Sequence, residues 1–200
     1  MAATLVFAGA LAVAGLAGCD RGAPAGPKVA FHSTDITGAS YAGKLELADA
    51  DGRTRSLDDF KGKAVVVFFG YTQCPDACPT TLAKLAEVRR LLGPRADKLQ
   101  AVFVSVDPER DRPEVLKAYM KAFDDSFVAL RGTPEQTAEV TRDFKVVSMR
   151  VPGQQPGSYT IDHTAALYVY DPAGHVRLYV RPATGVKELA EDLRALIDGA

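Results

Sequence analysis

The sequence lacks an excess of charge of either sign, since its 200 residues hold 24 lysines and arginines against 25 aspartates and glutamates. Proteins that bind nucleic acid normally carry a basic patch or stripe, so no nucleic acid partner is expected. After residue 18 the chain also lacks an apolar run of the roughly 20 residues that a membrane-spanning helix needs, and it has no internal repeat. With 47% hydrophobic residues, the composition predicts one globular domain with an N-terminal extension.

Cysteine is scarce and odd in number, with only Cys19, Cys74 and Cys78. The first closes the segment LAGC (residues 16–19), which ends an apolar run and resembles the lipobox of bacterial lipoproteins. We therefore predict a lipoprotein-type signal peptide over residues 1–18 and a lipid on Cys19. The start of the chain lacks the Lys or Arg of an export signal, which a misplaced start codon would explain, and an uncleaved membrane anchor is the alternative. Both anchors predict a protein of the bacterial cell envelope, tethered at the periplasmic face of the inner membrane.

The residues that follow Cys19 are predicted to form a flexible tether over residues 19–40. The segment DRGAPAGP (residues 20–27) is small, rich in Gly and Pro and aperiodic, as linkers are. The folded domain is predicted over residues 41–200. His32 lies near the end of the tether and, with no partner in view, is interpreted as solvated.

The two remaining cysteines follow the most apolar strand of the domain. Residues 64–69 (AVVVFF) form an unbroken β-branched and aromatic run that is typical of a buried strand. Gly70 ends the run, and apolar residues at helical spacing follow Cys78. Cys74 and Cys78 are therefore expected on one turn at the start of a helix, close enough for a disulfide or one soft metal ion. The helix dipole is expected to lower both thiol pKa values; a purely structural disulfide is the alternative.

The other predicted elements alternate between strands and helices. An N-terminal β-hairpin is indicated by Leu45 and Leu47, which alternate with polar residues before the turn pair Asp51-Gly52. The later predicted strands are residues 99–106, 127–130, 164–170 and 175–180, with an extended segment at 146–151 and a loop at 152–157, and the later helices are 113–123, 134–144 and 186–197. This order predicts an α/β domain with a mixed central sheet flanked by helices, and the cysteines after the first buried strand make it thioredoxin-like.

Three sequence blocks resemble the Sco/SenC family. They are GYTQCPDACPTT (residues 70–81), SVDPERD (105–111) and DHT (162–164), in that order, and the likeness covers roughly residues 41–197. The resemblance implies a thioredoxin fold that binds one copper ion through Cys74, Cys78 and His163. It also implies a role in assembling the binuclear copper (CuA) centre of cytochrome c oxidase. Thiolates favour Cu(I) and imidazole suits both oxidation states, so the site could hold Cu(I) or Cu(II).

Other residues, within these blocks and outside them, are less clearly part of the proposed site. Asp162 could orient its neighbour His163 or be a solvated turn residue, whereas Asp76 and Asp107 could line the pocket and steer a partner. For Asp107, an Asp-Pro turn that closes a strand is the alternative. His175 is interpreted as a surface residue. The methionines Met120 and Met149 are interpreted as core and strand residues rather than thioether ligands.

Two functions of different classes fit this pattern. The first is a metallochaperone that receives copper from a donor chaperone and passes it to subunit II of cytochrome c oxidase. The second is a tethered thiol-disulfide oxidoreductase that reduces the cysteines of the same target. The spacing CxxxC favours copper, because thioredoxin-type reductants use CxxC, and no X-Pro precedes the strand at residues 164–170. The peroxiredoxin pattern PxxxTxxC is not matched. In an oxidising compartment the chaperone is also expected to need a separate thiol reductant before loading.

Overall fold

The structure, a computed structural model, describes residues 30–200. The predicted signal peptide, the lipid site at Cys19 and the first half of the predicted tether (residues 19–29) lie outside these residues. The strands are β1 (Thr34–Asp35), β2 (Glu46–Asp49), β3 (Thr54–Ser56), β4 (Ala64–Gly70), β5 (Leu99–Ser105), β6 (Val128–Arg131), β7 (Ser148–Pro152), β8 (Tyr159–His163), β9 (Leu167–Tyr170) and β10 (Val176–Val180). The α-helices are α1 (Ala77–Leu92), α2 (Pro113–Lys121), α3 (Pro134–Asp143) and α4 (Val186–Ile197), with short 3-10 helices at Leu57–Phe60 and Gly93–Lys98.

Eight strands form one mixed sheet in the order β1-β10-β9-β4-β5-β6-β2-β3. The pairs β4–β5 and β5–β6 are parallel, and the other neighbours are antiparallel. Every residue of β4 and β5 is buried, which is why their sequences are continuously apolar instead of alternating. The predicted α/β class, the mixed sheet with flanking helices and the N-terminal hairpin β2–β3 are thus confirmed.

Adjacent phenylalanines of β4 show how the core covers both faces of the sheet. Side chains of neighbouring strand residues point to opposite faces. The ring of Phe68 packs edge-on against Phe103, with centroids 5.9 Å apart. Phe69 packs on the other face against Phe144, just after α3, at 4.9 Å. Strand β4 therefore has protein on both faces, and the loop that carries Cys74 begins at its C-terminal end.

Strands β7 and β8 pair only with each other and form a separate two-stranded sheet. Strand β8 was not predicted, and the predicted strand at 164–170 is shorter in the structure, where β9 begins only at Leu167. His163, which directly precedes the predicted strand in sequence, is consequently the last residue of β8 and is separated from β9 by residues 164–166. The predicted extended segment at 146–151 overlaps β7, whereas only Ile161 of the five residues of β8 is buried, so no apolar run marks β8.

The N-terminal part of the described chain joins the main sheet. Strand β1 pairs with β10, although it lies within the segment predicted as tether, so the sheet begins before residue 41. Within residues 30–200, no helix combines the length and apolar character needed to cross a membrane.

Candidate metal centre

The two cysteines lie on either side of the start of α1. Cys74 is in the loop after β4 and is half-buried, whereas Cys78 is the second residue of α1 and is fully buried. The backbone N–H of Cys78 donates to Sγ of Cys74 over 3.4 Å. The expectation that both sulfurs sit on one helical turn is therefore wrong for Cys74, which precedes the helix. Both thiols are free cysteines in the structure.

His163 reaches the cysteines from the hairpin β7–β8. It pairs with Ser148 across the hairpin, and its ring lies edge-on to Tyr71 at 5.9 Å and tilted against Phe68 at 6.1 Å. Phe68 belongs to β4 and Tyr71 directly follows that strand. The imidazole thus extends from the hairpin and packs against the C-terminal end of β4 in the main sheet.

The ligand atoms of Cys74, Cys78 and His163 all lie within 4.8 Å of one another. Nε2 of His163 is 3.4 Å from Sγ of Cys78, and Nδ1 is 3.2 Å from the carbonyl oxygen of Thr164. A carbonyl only accepts hydrogen bonds, so Nδ1 carries the ring hydrogen and Nε2 presents its lone pair to the sulfurs. Among residues 30–200, these three are the one group of His, Cys, Asp and Glu side chains that could hold a metal ion. Two sulfurs and one imidazole suit a soft or borderline metal.

Burial also sets the protonation of the buried Cys78 and the half-buried His163. It raises the pKa of Cys78 far above the usual thiol value, and the neighbouring Cys74 adds to the rise. The expectation that the helix start lowers this pKa is wrong. Burial lowers the pKa of His163 against the opposing effects of the Thr164 carbonyl and the charge of Asp162, so the imidazole is neutral and able to ligate. Ligation by Cys78 requires loss of its thiol proton.

The three aspartates that the sequence singled out occupy different places. Asp76 precedes α1 as its N-terminal cap residue, is exposed and accepts a hydrogen bond from Oγ1 of Thr80 at 3.2 Å. Asp162 is exposed beside His163. Asp107 is fully buried and accepts hydrogen bonds from Arg110 and Tyr159. Its backbone also makes the predicted turn, because its carbonyl accepts from the N–H of Arg110 at 3.2 Å.

Sequence reasoning missed the residues that brace the cysteine loop. Asp111, fully buried, accepts from the backbone N–H of Thr72 at 3.1 Å, from the Thr72 hydroxyl at 2.6 Å and from the Ser105 hydroxyl at 2.6 Å. Oη of Tyr71 accepts from the backbone N–H of Ile161 in β8 at 3.1 Å. All but Ile161 lie within the sequence blocks quoted above, and that was the available signal, but the pairing between blocks required the fold.

The remaining histidines and methionines lie as follows. His175 is exposed, as predicted, beside Asp171. His32 is not simply solvated, because its Nε2 lies 2.8 Å from a carboxylate oxygen of Glu191. Met120 is buried in the core and Met149 is an exposed residue of β7, which confirms both interpretations.

Comparisons with known proteins point to one family. The family model described as SCO1/SenC matches residues 33–198. The SCO2-like protein of Rickettsia felis is 37% identical over 153 residues, which cover 76% of this chain and 75% of that protein. The structure of Bradyrhizobium japonicum ScoI with copper bound superposes with a TM-score of 0.71 at 40% identity, over 79% of this chain and 99% of that chain. Apo Sco1 from Thermus thermophilus gives a TM-score of 0.75 at 37% identity, over 86% and 99%.

Proposed function

Since the chain belongs to the SCO1/SenC family, we propose that it binds one copper ion and delivers it to the CuA centre during assembly of cytochrome c oxidase. Proteins of this family take part in copper handling and in assembly of the oxidase. The ligands we propose are Cys74, Cys78 and His163. The observation that carries the proposal is the convergence of their ligand atoms within 4.8 Å.

The donor set suits a metal that must be released again. Two thiolates favour Cu(I) over hard cations, and the imidazole is compatible with Cu(II) as well. Structural metal sites usually close a cage of four protein ligands, whereas a site with three leaves a position for an incoming ligand. Cys74 and His163 are the partly exposed members of the set, whereas Cys78 is buried, so ligands of a receiving protein would approach from the side of Cys74 and His163.

The proposed partners are those that membership of the family implies. Copper would come from a donor chaperone and go to subunit II of the oxidase. Both sulfurs must be reduced to ligate, so a thiol reductant would act before loading in an oxidising compartment. We propose that the protein works at the periplasmic face of the inner membrane of the bacterial envelope, held by a lipid on Cys19. The lipobox-like segment at residues 16–19 supports this location.

Anaerobic copper titration of the reduced protein tests the proposal, with the thiolate-to-Cu(II) charge-transfer absorption as the readout. We expect one equivalent to bind, the band to disappear in Cys74→Ser or Cys78→Ser, and its position to shift in His163→Ala. His175→Ala is the matched control, because that exposed histidine should leave the titration unchanged. Full binding and an unchanged band in His163→Ala would remove the histidine from the site.

A thiol-disulfide reductase is the second candidate, favoured by the unequal burial of the two free thiols. Cys74 is partly exposed and Cys78 is buried behind it. The Cys74 thiolate could attack a target disulfide, and Cys78 could then displace the target by forming the Cys74–Cys78 disulfide. The target gains two electrons and the two cysteines lose them. Turnover of a disulfide substrate by copper-free protein with a supplied reductant would favour this function, and its absence would favour copper delivery.

A further inference from the structure

The histidine side of the site is attached to the domain differently from the cysteine side. Strand β4, which leads into the cysteine loop, lies inside the eight-stranded sheet, whereas β8 pairs only with β7. No hydrogen-bonded pairing with the main sheet therefore fixes the position of β8 or of His163 at its end. Its placement depends on contacts made along the strand.

Several of these contacts come from a cluster of Asp107, Arg110 and Tyr159, which we call the Asp107 clasp. Oη of Tyr159 donates to Oδ1 of Asp107 at 2.9 Å, and Nη1 of Arg110 donates to the backbone carbonyl of Tyr159 at 2.9 Å. The guanidinium lies 3.6 Å from the centroid of the Tyr159 ring and Nε of Arg110 donates to Asp107. The first residue of β8 is thus held through its ring, its hydroxyl and its backbone.

The clasp is itself fixed to the core of the domain. Asp107 is fully buried just after β5, and its backbone N–H donates to Oγ of Ser105 at 3.1 Å. Its carbonyl accepts from the N–H groups of Arg110 and Asp111. A buried carboxylate that is paired and hydrogen-bonded is costly to disturb, because removing one partner leaves a buried charge uncompensated. The clasp is therefore a firm attachment for the start of β8.

Strand geometry carries the effect of the clasp from Tyr159 to His163. Residues two and four apart in a strand lie on one face, so Tyr159, Ile161 and His163 share a face, and Ile161 is buried between the other two. A slip of one residue would turn the whole set to the opposite face. Fixing Tyr159 therefore selects the face that His163 presents to the cysteines.

We propose that Asp107, Arg110 and Tyr159 are positioning residues for His163: they set the face and register of β8 and so aim the imidazole at the two sulfurs. This role deepens the proposed function, since it rests on His163 being a copper ligand. Asp107 then acts through Tyr159 and the hairpin, and not by lining the metal pocket as the sequence suggested.

The test uses Arg110→Met, which keeps an apolar stem but removes the guanidinium. In the metal-free protein we expect amide hydrogen exchange in β8 to become about tenfold faster, as for loss of a hydrogen bond to a charged group, while β4 and β5 keep their rates. In the copper titration we expect about tenfold weaker binding and a band shifted toward that of His163→Ala. Tyr159→Phe is the milder variant, because it removes only the hydroxyl bond to Asp107 and should give smaller changes in the same direction.

Two controls separate positioning from general damage. Arg131 in β6 donates to the carbonyl of Pro108 from both Nε and Nη2, at 2.9 and 2.7 Å, so Arg131→Met disturbs the same loop on another side and should leave β8 exchange and the copper band unchanged. In a His163→Ala background, Arg110→Met should weaken copper binding no further. Additive losses in that double variant, or unchanged β8 exchange in Arg110→Met, would overturn the proposal. The exchange measurement needs no copper, so it tests the clasp even if wild-type protein binds none and the proposed function fails.

Discussion

Gly70, the last residue of β4, is where a single methyl group would reach the metal centre. A Cβ at this position would lie 2.8 Å from Sγ of Cys78 and 2.8 Å from Cε2 of Phe103. Both neighbours are buried in the core and have little room to yield. We expect Gly70→Ala to lower the free energy of unfolding by about 1–3 kcal/mol through overpacking. Because Cys78 must shift, we also expect weaker copper binding and a changed charge-transfer band, measured by urea unfolding and copper titration.

The matched control for this substitution is Gly132→Ala. A Cβ at Gly132 would lie 2.8 Å from Cδ2 of Leu47 and 2.9 Å from Cβ of Gln136, so the crowding is similar but involves the N-terminal hairpin and α3. The control should lose stability and keep the wild-type copper band. Equal effects of the two substitutions on copper binding would contradict the prediction.

The protonation of Cys78 shows what sequence could and could not establish for one residue. The motifs identified the three candidate ligands by type and number, and the structure brings them together. The sequence could not show that the second sulfur is fully buried. A helix N-terminus stabilises a nearby negative charge by only about 0.3–1 kcal/mol, whereas moving an unpaired charge out of water costs several kcal/mol. Burial therefore dominates, and the pKa of Cys78 rises.

Among the strands, those buried on both faces were the ones that the sequence could predict. Strands β4 and β5 could be located because continuous apolar runs mark strands that are covered on both faces. The extended segment predicted at 146–151 overlaps β7, but β8 could not be located, because only Ile161 of its five residues is buried. Its attachment also depends on contacts of Tyr159 with residues that lie about 50 positions earlier. The element that carries His163 was thus the one that local sequence patterns described least well.

The hairpin β2–β3 contains a carboxylate whose contribution to the stability of the fold should depend on pH. Asp49, about 9% exposed, accepts from Nε of Arg55 at 2.8 Å and from the backbone N–H groups of Asp51 and Arg53. Burial by itself would raise the pKa of Asp49, but the bonds from Arg55 and the two N–H groups outweigh it and the pKa is lowered. The charged form therefore stabilises the fold above the unfolded-state pKa of about 3.9, and this contribution is lost as pH falls through the lower folded-state pKa.

We expect Asp49→Asn to reduce the free energy of unfolding by about 1–3 kcal/mol at pH 7. The difference from wild type should shrink as pH falls below about 4, because the wild-type carboxylate then loses its advantage. Urea unfolding of both proteins between pH 7 and pH 3 measures this difference in free energy. Asp51→Asn is the control, since Asp51 makes an exposed pair with Lys117 and such pairs contribute about 0–1 kcal/mol. A difference for Asp49→Asn that stays constant with pH would refute the assignment.

At the scale of the whole molecule, residues 32 and 33, near the start of the described chain, are hydrogen-bonded to the last helix. Asp192 of α4 is 2% exposed, and its two carboxylate oxygens accept from the backbone N–H groups of His32 and Ser33 at 2.8 and 2.9 Å. The chain then enters β1, which completes the sheet beside β10. These contacts join residues about 160 positions apart, so no local pattern could have revealed that residues 32–35 of the predicted tether are part of the fold.

We expect Asp192→Ala to lower the free energy of unfolding by about 1–3 kcal/mol, because one buried and one partly buried N–H group lose a charged acceptor. The loss should be accompanied by faster hydrogen exchange at residues 32–36, with β4 and β5 unaffected. Glu191→Ala is a control one residue away: Glu191 pairs with His32 across a half-exposed contact, and exposed pairs of this kind contribute about 0–1 kcal/mol. If Asp192 only fills space, Asp192→Leu would restore wild-type exchange at residues 32–36. If it holds residues 32 and 33 through charge and hydrogen bonds, hydrogen exchange at residues 32–36 in Asp192→Leu would be as fast as in the alanine variant. The freed residues would then lengthen the link between the domain and its proposed membrane anchor.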